Sequence, residues 1–189
     1  MKFNPRLVLA PTLAAAACSA VLAFVNHKTR PLIDAAERGR EILSARLVLP
    51  GTLPAPVKTN ILGAACFASF DAAGALLGVA VEGVSPNGYG GEIHLMAGFA
   101  ADGALHDFTI LSAPGETPGL GMKIQSNAFR NPLRNRHASA DWTLKKDGGE
   151  VDAITAATIS SRAALEALRD AIEKFEKISG FCAGLQMEK

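Results

Sequence analysis

Cysteine is scarce in this chain. Cys18, Cys66 and Cys182 are too few for a disulfide scaffold, and none stands in a Cys-x-x-Cys or Cys/His spacing that would hold zinc or an iron–sulfur cluster. Histidine is thin as well. His27, His94, His106 and His137 are scattered, with no His-x-x-x-His pair, which argues against a zinc hydrolase. Aromatic residues make up only 6% of the chain, so an array of rings for stacking single-stranded nucleic acid is missing. An excess of one charge is missing too. The 19 Lys+Arg against 18 Asp+Glu leave a net charge of +1, not the basic surplus of a nucleic-acid binder. With 49% hydrophobic and 20% charged residues, the chain is not a disordered one. Its 189 residues suit one domain with an appendage.

What is present begins at the N-terminus. Residues 7–25 carry no charge, and only Pro11, Thr12 and Ser19 interrupt their apolar character. Such a run is long enough to cross a bilayer core as a helix, which takes about 20 residues. A cleaved signal peptide shares the basic start, here Lys2 and Arg6, but its apolar core is about 7–15 residues long. Cleavage sites are offered at Cys18-Ser19-Ala20 and Val21-Leu22-Ala23. Cys18 as a lipidated cysteine lacks the large apolar residue usual three places earlier, where Ala15 stands. The run is read here as a retained anchor. Charge counting does not orient it. Lys28, Arg30, Arg38 and Arg40 downstream are set against Lys2, Arg6 and the α-amine upstream.

The expected organisation is a tail and transmembrane helix over 1–28, a connecting helix and linker over 29–60, and a soluble domain over 61–189. Leu32, Ile33, Ala36 and Leu43 mark a helix from 29 to about 45, with Pro31 suited to its first turn. Pro50, Gly51, Pro54 and Pro56 read as an irregular linker. Strands are expected over 64–70, 75–84, 92–100 and 105–111, separated by the turns at Asp71-Ala72-Ala73-Gly74, Ser85-Pro86-Asn87-Gly88 and Ala101-Asp102-Gly103. Ile93, Leu95, Ala97 and Phe99 should share one face. Short connections imply antiparallel pairing, hence a meander of three or four strands. A short helix is expected over 122–129 and a strand over 140–144. Ala164, Leu165, Leu168, Ile172, Phe175 and Ile178 recur at helical spacing and predict an amphipathic helix from about Ser160 to Ser179, capped by Ser160 or Ser161. The fold class is α+β: an antiparallel sheet flanked by helices, with one N-terminal transmembrane helix.

Two segments carry the candidate chemistry. The first is Gly115-Glu116-Thr117-Pro118-Gly119-Leu120-Gly121-Met122-Lys123. Its glycines let the backbone turn tightly and approach a ligand, although a plain Pro/Gly connection has the same composition. The second is Asp152-Ala153-Ile154-Thr155-Ala156-Ala157-Thr158-Ile159-Ser160-Ser161. Hydroxyls before a helix read either as caps or as partners of a phosphate at a helix N-terminus.

Together these segments resemble the FMN-binding domain family. Its flavinylation motif, Asp-x-x-(Ser/Thr)-Gly-Ala-Thr, is matched by Asp152, Thr155, Ala156, Ala157 and Thr158. Glu116 to Gly121 matches a second signature, and Tyr89-Gly90-Gly91 a third. The order of the motifs and the single anchor agree over essentially the whole chain. The likeness is greatest to the G subunits of Rnf-type electron-transport complexes; the related NqrC subunits of sodium-pumping quinone reductases are usually longer.

The resemblance implies FMN joined through its phosphate to the hydroxyl of Thr158 by a separate flavin transferase, with Asp152 part of what that transferase recognises. It implies a cofactor site made of Tyr89, Glu116, Thr117, Gly119, Leu120, Gly121, Lys123, Thr155, Ala156 and Ala157. Glu116 and Thr117 would bond the ring edge, and Lys123 would balance a reduced flavin or the phosphate. No metal site and no residue doing bond chemistry of its own is implied. The expected role is an electron relay between ferredoxin and NAD in an ion-translocating complex of the bacterial inner membrane. The soluble domain would be periplasmic, and the partners would be integral-membrane, iron–sulfur and flavin subunits. The membrane run has no ionisable residue except Cys18, so ion movement would lie in those subunits. An NqrC-like subunit and a flavin-free anchored assembly or binding subunit are the alternatives, with a free-standing periplasmic flavin carrier a third. The chain departs from the family at Ala156, where glycine is usual, and at Pro114, where histidine is frequent.

Other residues read as structural. His94 belongs to the polar face of its strand. Arg130, Arg134, Arg136 and His137 read as a solvated basic face or a dock for an acidic subunit. Trp142 and Tyr89 read as packing residues, with Tyr89 also in a signature of the family. Cys66 and Cys182 can pair only within about 7 Å.

Overall fold

A computed structural model of the chain describes residues 6–51, 56–61 and 64–186, with side chains described as far as Ser179. Cys182 and any pairing with Cys66 therefore lie outside the described side chains. The chain forms two compact units, Met1–Arg40 and Glu41–Lys189.

The first unit is helical. Helix α1 runs unbroken from Arg6 to Val48 with Pro11 and Pro31 inside it, so the expected separate helix from residue 29 is its continuation. Each internal proline removes one ladder hydrogen bond. The alanine-rich stretch around Pro11 restores propensity, since alanine is the best helix former. Among the described residues no helix is long and apolar enough to cross a membrane. The uncharged run owes part of its apolarity to Leu7, Val8 and Ala10, whose side chains lie outside the described set.

The second unit holds the sheet. Strands β1 (Val57–Ile61), β2 (Ala64–Phe70), β3 (Leu76–Ser85), β4 (Ile93–Ala100) and β5 (Leu105–Ser112) form a five-stranded antiparallel meander in sequence order. Two strands are central to the site. β3 and β4 pair from Gly78↔Ala100 to Ser85↔Ile93. The strand missing from the expected set is β1. Its residues Lys58, Thr59 and Asn60 are polar, and it pairs on one side only, with β2.

Both faces of the sheet are covered. Ile93, Leu95, Ala97 and Phe99 do share a face, which packs with Val79, Val81 and Phe108 against helix α3 (Thr158–Gln186). Phe99 stacks on Phe175 of α3 at 4.6 Å between ring centroids. Phe67, Ala80 and Met96 point the other way and receive Ala45, Val48 and Leu49 from the end of α1. There the His106 Nδ1 lies 3.0 Å from the Val48 carbonyl oxygen. Pro50 and Gly51, with Gly51 at φ 86°, end α1.

Three expectations are corrected after β5. The expected helix over 122–129 is a 3₁₀ turn, Gly121–Gln125, followed by the one-turn helix α2, Asn127–Arg130, because Ser126 is extended between them. The expected strand over 140–144 is a loop with one parallel bridge, Leu144↔Val151. The basic stretch is not a free solvated face. Arg130 and Arg134 both donate to the carboxylate of Asp107, a buried group on β5, and Arg136 pairs with Glu150 at 2.8 Å. Trp142 packs as expected, buried and donating its indole N–H to Ala138 O at 3.0 Å.

Candidate functional site

Three segments meet at the start of α3: the β3–β4 connection over 86–92, the loop over 113–120, and the approach to α3 over 152–157. Glu166 of α3 holds the first. It accepts the Ser85 hydroxyl at 2.7 Å and the Asn87 side-chain amide at 2.9 Å. Those two bonds, Ser85 foremost, hold its carboxyl below the usual carboxylate range. The second segment packs on the first backbone to backbone. A Cβ on Gly115 would overlap the Gly90 carbonyl group, so only glycines fit at this crossing.

Glu116 joins all three segments. It is 6% exposed. Its Oε1 accepts the Tyr89 backbone N–H at 2.8 Å and its Oε2 accepts the Ser160 hydroxyl at 2.6 Å. A Cβ on Gly121 would overlap the same Oε2. Both carboxylate oxygens of Glu116 thus already serve the protein.

The approach to α3 is shaped by Ser161, whose hydroxyl accepts the Ile154 N–H at 3.0 Å and donates to Ala157 O at 2.9 Å. The expected capping by Ser160 or Ser161 is corrected: α3 begins at Thr158, and both serines are buried inside its first turn. Ala156 just before it sits at φ 62°, the left-handed region. That geometry explains why glycine is favoured at this place in the motif.

These segments enclose a cavity of about 410 Å³. Of the residues singled out in the sequence, Tyr89, Glu116, Thr117, Leu120, Gly121, Ala156, Ala157 and Thr158 line it. Tyr89 is 68% exposed and so does not act as a packing residue. Gly119, Lys123 and Thr155 are exposed and stand outside its lining. Asp152 is exposed and pairs with Lys145 at 2.8 Å.

Ile159 and Ser160 also line the cavity; both belong to the second candidate segment, with Ser160 read as a cap or phosphate partner, but neither stands among the expected cofactor-site residues. Lys146 was invisible there as well. Its Nζ donates to the Thr158 hydroxyl oxygen at 3.2 Å. It lies on the 3₁₀ turn Lys145–Asp147, which Arg162 of α3 secures by two 2.8 Å bonds to Asp147. The Arg162 guanidinium holds the Asp147 carboxyl below its ordinary range. No local spacing links Lys146 to Thr158, so the sequence offered no signal for the contact.

Known proteins share this arrangement of sequence. Residues 88–173 match the FMN-binding domain family, and this stretch contains every residue lining the cavity as well as Lys146. The chain is 33% identical over 185 residues to the G subunit of the ion-translocating oxidoreductase complex of Shewanella baltica, covering 86% of this chain and 85% of that protein. It is 31% identical over 185 residues to the protein of the same name from Vibrio vulnificus, with the same shares covered. Among solved structures, NqrC of Shewanella oneidensis matches with a TM-score of 0.52 at 18% identity, over 74% of each chain. That last likeness is one of fold.

Proposed function

The chain belongs to the family of FMN-binding G subunits of ion-translocating oxidoreductase complexes, and from that premise we propose that it relays electrons within such a complex through FMN esterified to Thr158. The observation that carries this reading is the place of Thr158. Its hydroxyl stands on the cavity lining at the first residue of α3, with the Lys146 ammonium 3.2 Å away.

The residues fit the group. A cavity of about 410 Å³ lies in the range of cofactor sites, about 300–1,000 Å³. Tyr89, Leu120 and Ile159 present exposed apolar surface to a flat ring. Thr117 offers a hydroxyl to its polar edge. Glu116 serves as the brace of the walls in this reading, with both oxygens engaged. Gly119, Lys123 and Thr155, exposed outside the lining, would contact the cofactor only beyond the cavity. When bound, FMN supplies one-electron transfer. A covalent tether at Thr158 keeps it in place through repeated turnover.

The rest of the assignment follows the family. Residues 7–25 serve as a single-pass anchor in the bacterial inner membrane, with the soluble domain periplasmic. The functional division is an anchor over 1–28, a connector over 29–60, and the FMN-binding domain over 61–189, β1 joining that domain's sheet. Electrons pass between ferredoxin and NAD by way of iron–sulfur and flavin subunits. Exposed Asp152 is a contact for the flavin transferase, which must then displace Lys145 from it.

The test is the mass of the peptide holding Thr158 after production of the chain with an active flavin transferase. An FMN adduct is expected in the natural chain and in Thr158→Ser, and none in Thr158→Ala. An unmodified natural chain, with the transferase active on a control protein, overturns the reading.

A further inference from the structure

Three cations belong to the two elements joined here, Lys145 and Lys146 on the 3₁₀ turn and Arg162 in the first turns of α3, and two of them are already neutralised. Lys145 pairs with Asp152 at 2.8 Å, and Arg162 pairs with Asp147 at 2.8 Å. Lys146 is different. Among the described residues no carboxylate lies within ion-pair distance of it, and its Nζ is directed at the Thr158 hydroxyl oxygen, 3.2 Å away. A lysine ammonium has three donors and no acceptor. It therefore cannot take the hydroxyl proton, and a donor to the oxygen makes a poorer nucleophile of it. The contact makes no sense as activation of Thr158. It makes sense once that oxygen carries a phosphoryl group, whose unesterified oxygens bear negative charge and sit two bonds out from Oγ, beyond the phosphorus.

We propose that Lys146 is the phosphate-binding residue of this site, holding the phosphoryl group of the flavin donor at Thr158 and then the phosphodiester that results. The inference rests on the reading of Thr158 as the attachment point. Esterifying an alcohol with FMN needs an activated phosphoryl group, hence a phosphoanhydride such as flavin adenine dinucleotide. The Thr158 Oγ–P bond forms, the P–O bond of the pyrophosphate breaks, and adenosine monophosphate leaves. The hydroxyl proton goes to a base of the transferase, and nothing is oxidised or reduced. Lys146 carries the charge on the phosphoryl oxygens through this exchange. The turn that bears it is fixed to α3 by the Asp147–Arg162 pair, so the ammonium is held in place beforehand rather than recruited.

The experiment measures the initial rate of FMN attachment to the full chain by purified transferase and flavin adenine dinucleotide, read by peptide mass. Lys146→Gln is expected to slow attachment about tenfold, the order of a lost charge-assisted hydrogen bond. Lys146→Arg restores most of the rate. Lys177→Gln, a distant lysine on α3 paired with Glu173, leaves it unchanged. Raising the salt concentration slows the natural chain more than Lys146→Gln, because the screened charge is gone from the variant. In the loaded proteins the ³¹P resonance of the phosphodiester moves in Lys146→Gln and not in Lys177→Gln. An equal rate in Lys146→Gln, an equal loss in Lys177→Gln, a failure of Lys146→Arg to rescue, or an unmoved ³¹P resonance each overturns the role of Lys146 while Thr158 is still loaded. A natural chain that stays unloaded overturns the attachment reading and this inference with it.

Discussion

Ser160 donates its hydroxyl to Glu116 at 2.6 Å across 44 residues of sequence, and the same carboxylate takes the Tyr89 N–H at 2.8 Å. One buried group thus ties the β3–β4 connection, the loop after β5 and the first turn of α3. Removing it strands a buried hydroxyl and an N–H. Glu116→Ala should cost about 3 kcal/mol of stability, the sum of two charge-assisted bonds of about 1.5 kcal/mol each. Glu116→Gln, which keeps an acceptor and the shape, should cost about 1 kcal/mol. Gly121→Ala should match the larger loss, since its Cβ would overlap the Glu116 Oε2. Urea denaturation of the three variants checks the order. A Glu116→Ala protein as stable as the natural one would remove the brace.

Ala156 occupies the left-handed region at φ 62°. An L-residue there costs about 1–2 kcal/mol, while glycine gives back part of the gain through the entropy of the unfolded chain. Ala156 is exposed, so its methyl contributes little packing. Ala156→Gly should stabilise the protein by about 0.5–1 kcal/mol. The same denaturation assay reads this, and a loss of stability would contradict the backbone geometry.

Asp107 is the acidic end of the arginine cluster. Burial pushes its carboxyl up, but bonds from Arg134, Arg130 and the Phe108 N–H outweigh that and hold it below its ordinary value. The sign follows. Its stabilisation is present above the unfolded-state value, about 3.9, and is lost as pH falls through the lower folded-state value. At neutral pH Asp107→Asn should cost about 2–3 kcal/mol, a broken buried pair discounted for the partial exposure of Arg134. The gap between the two proteins should close at acid pH, as read from urea midpoints between about pH 7 and pH 2.

Strands β2 to β5 were legible because apolar runs alternate with strong turn signals such as Asp71-Ala72-Ala73-Gly74, where Asp71 accepts the Ala73 and Ala75 N–H groups at 2.8 Å. β1 was not, since Lys58, Thr59 and Asn60 carry no alternation and prolines precede them. The cavity residues from Glu116 to Gly121 and from Ala156 to Thr158 were legible as motifs. What stayed hidden was pairing over distance. Arg130 and Arg134 looked solvated because their partner Asp107 lies 23 and 27 residues earlier. Ser160 looked like a cap because its partner is on another loop. Lys146 carried no signal at all because a turn, not a helical or strand period, brings it to Thr158.

His94 shows how a residue on a polar face can still carry a measurable charge effect. Its Nδ1 lies 2.7 Å from Glu82 on the neighbouring strand and its Nε2 lies 3.2 Å from Glu92. The bond to Glu82 raises its pKa most, burial opposes this, and Glu92 adds to the rise. A raised folded-state value means the stabilisation is fully present below the unfolded-state value, about 6.5, and is lost as pH rises through the folded one. His94→Gln keeps the size of the side chain and removes the charge. Its thermal midpoint should fall about 1–2 °C below that of the natural chain at about pH 6. The two should meet by about pH 9. Added salt should narrow the gap at the lower pH, because Glu82 is 45% exposed and its field is screened. A gap independent of both pH and salt would instead make His94 a packing residue between the two glutamates.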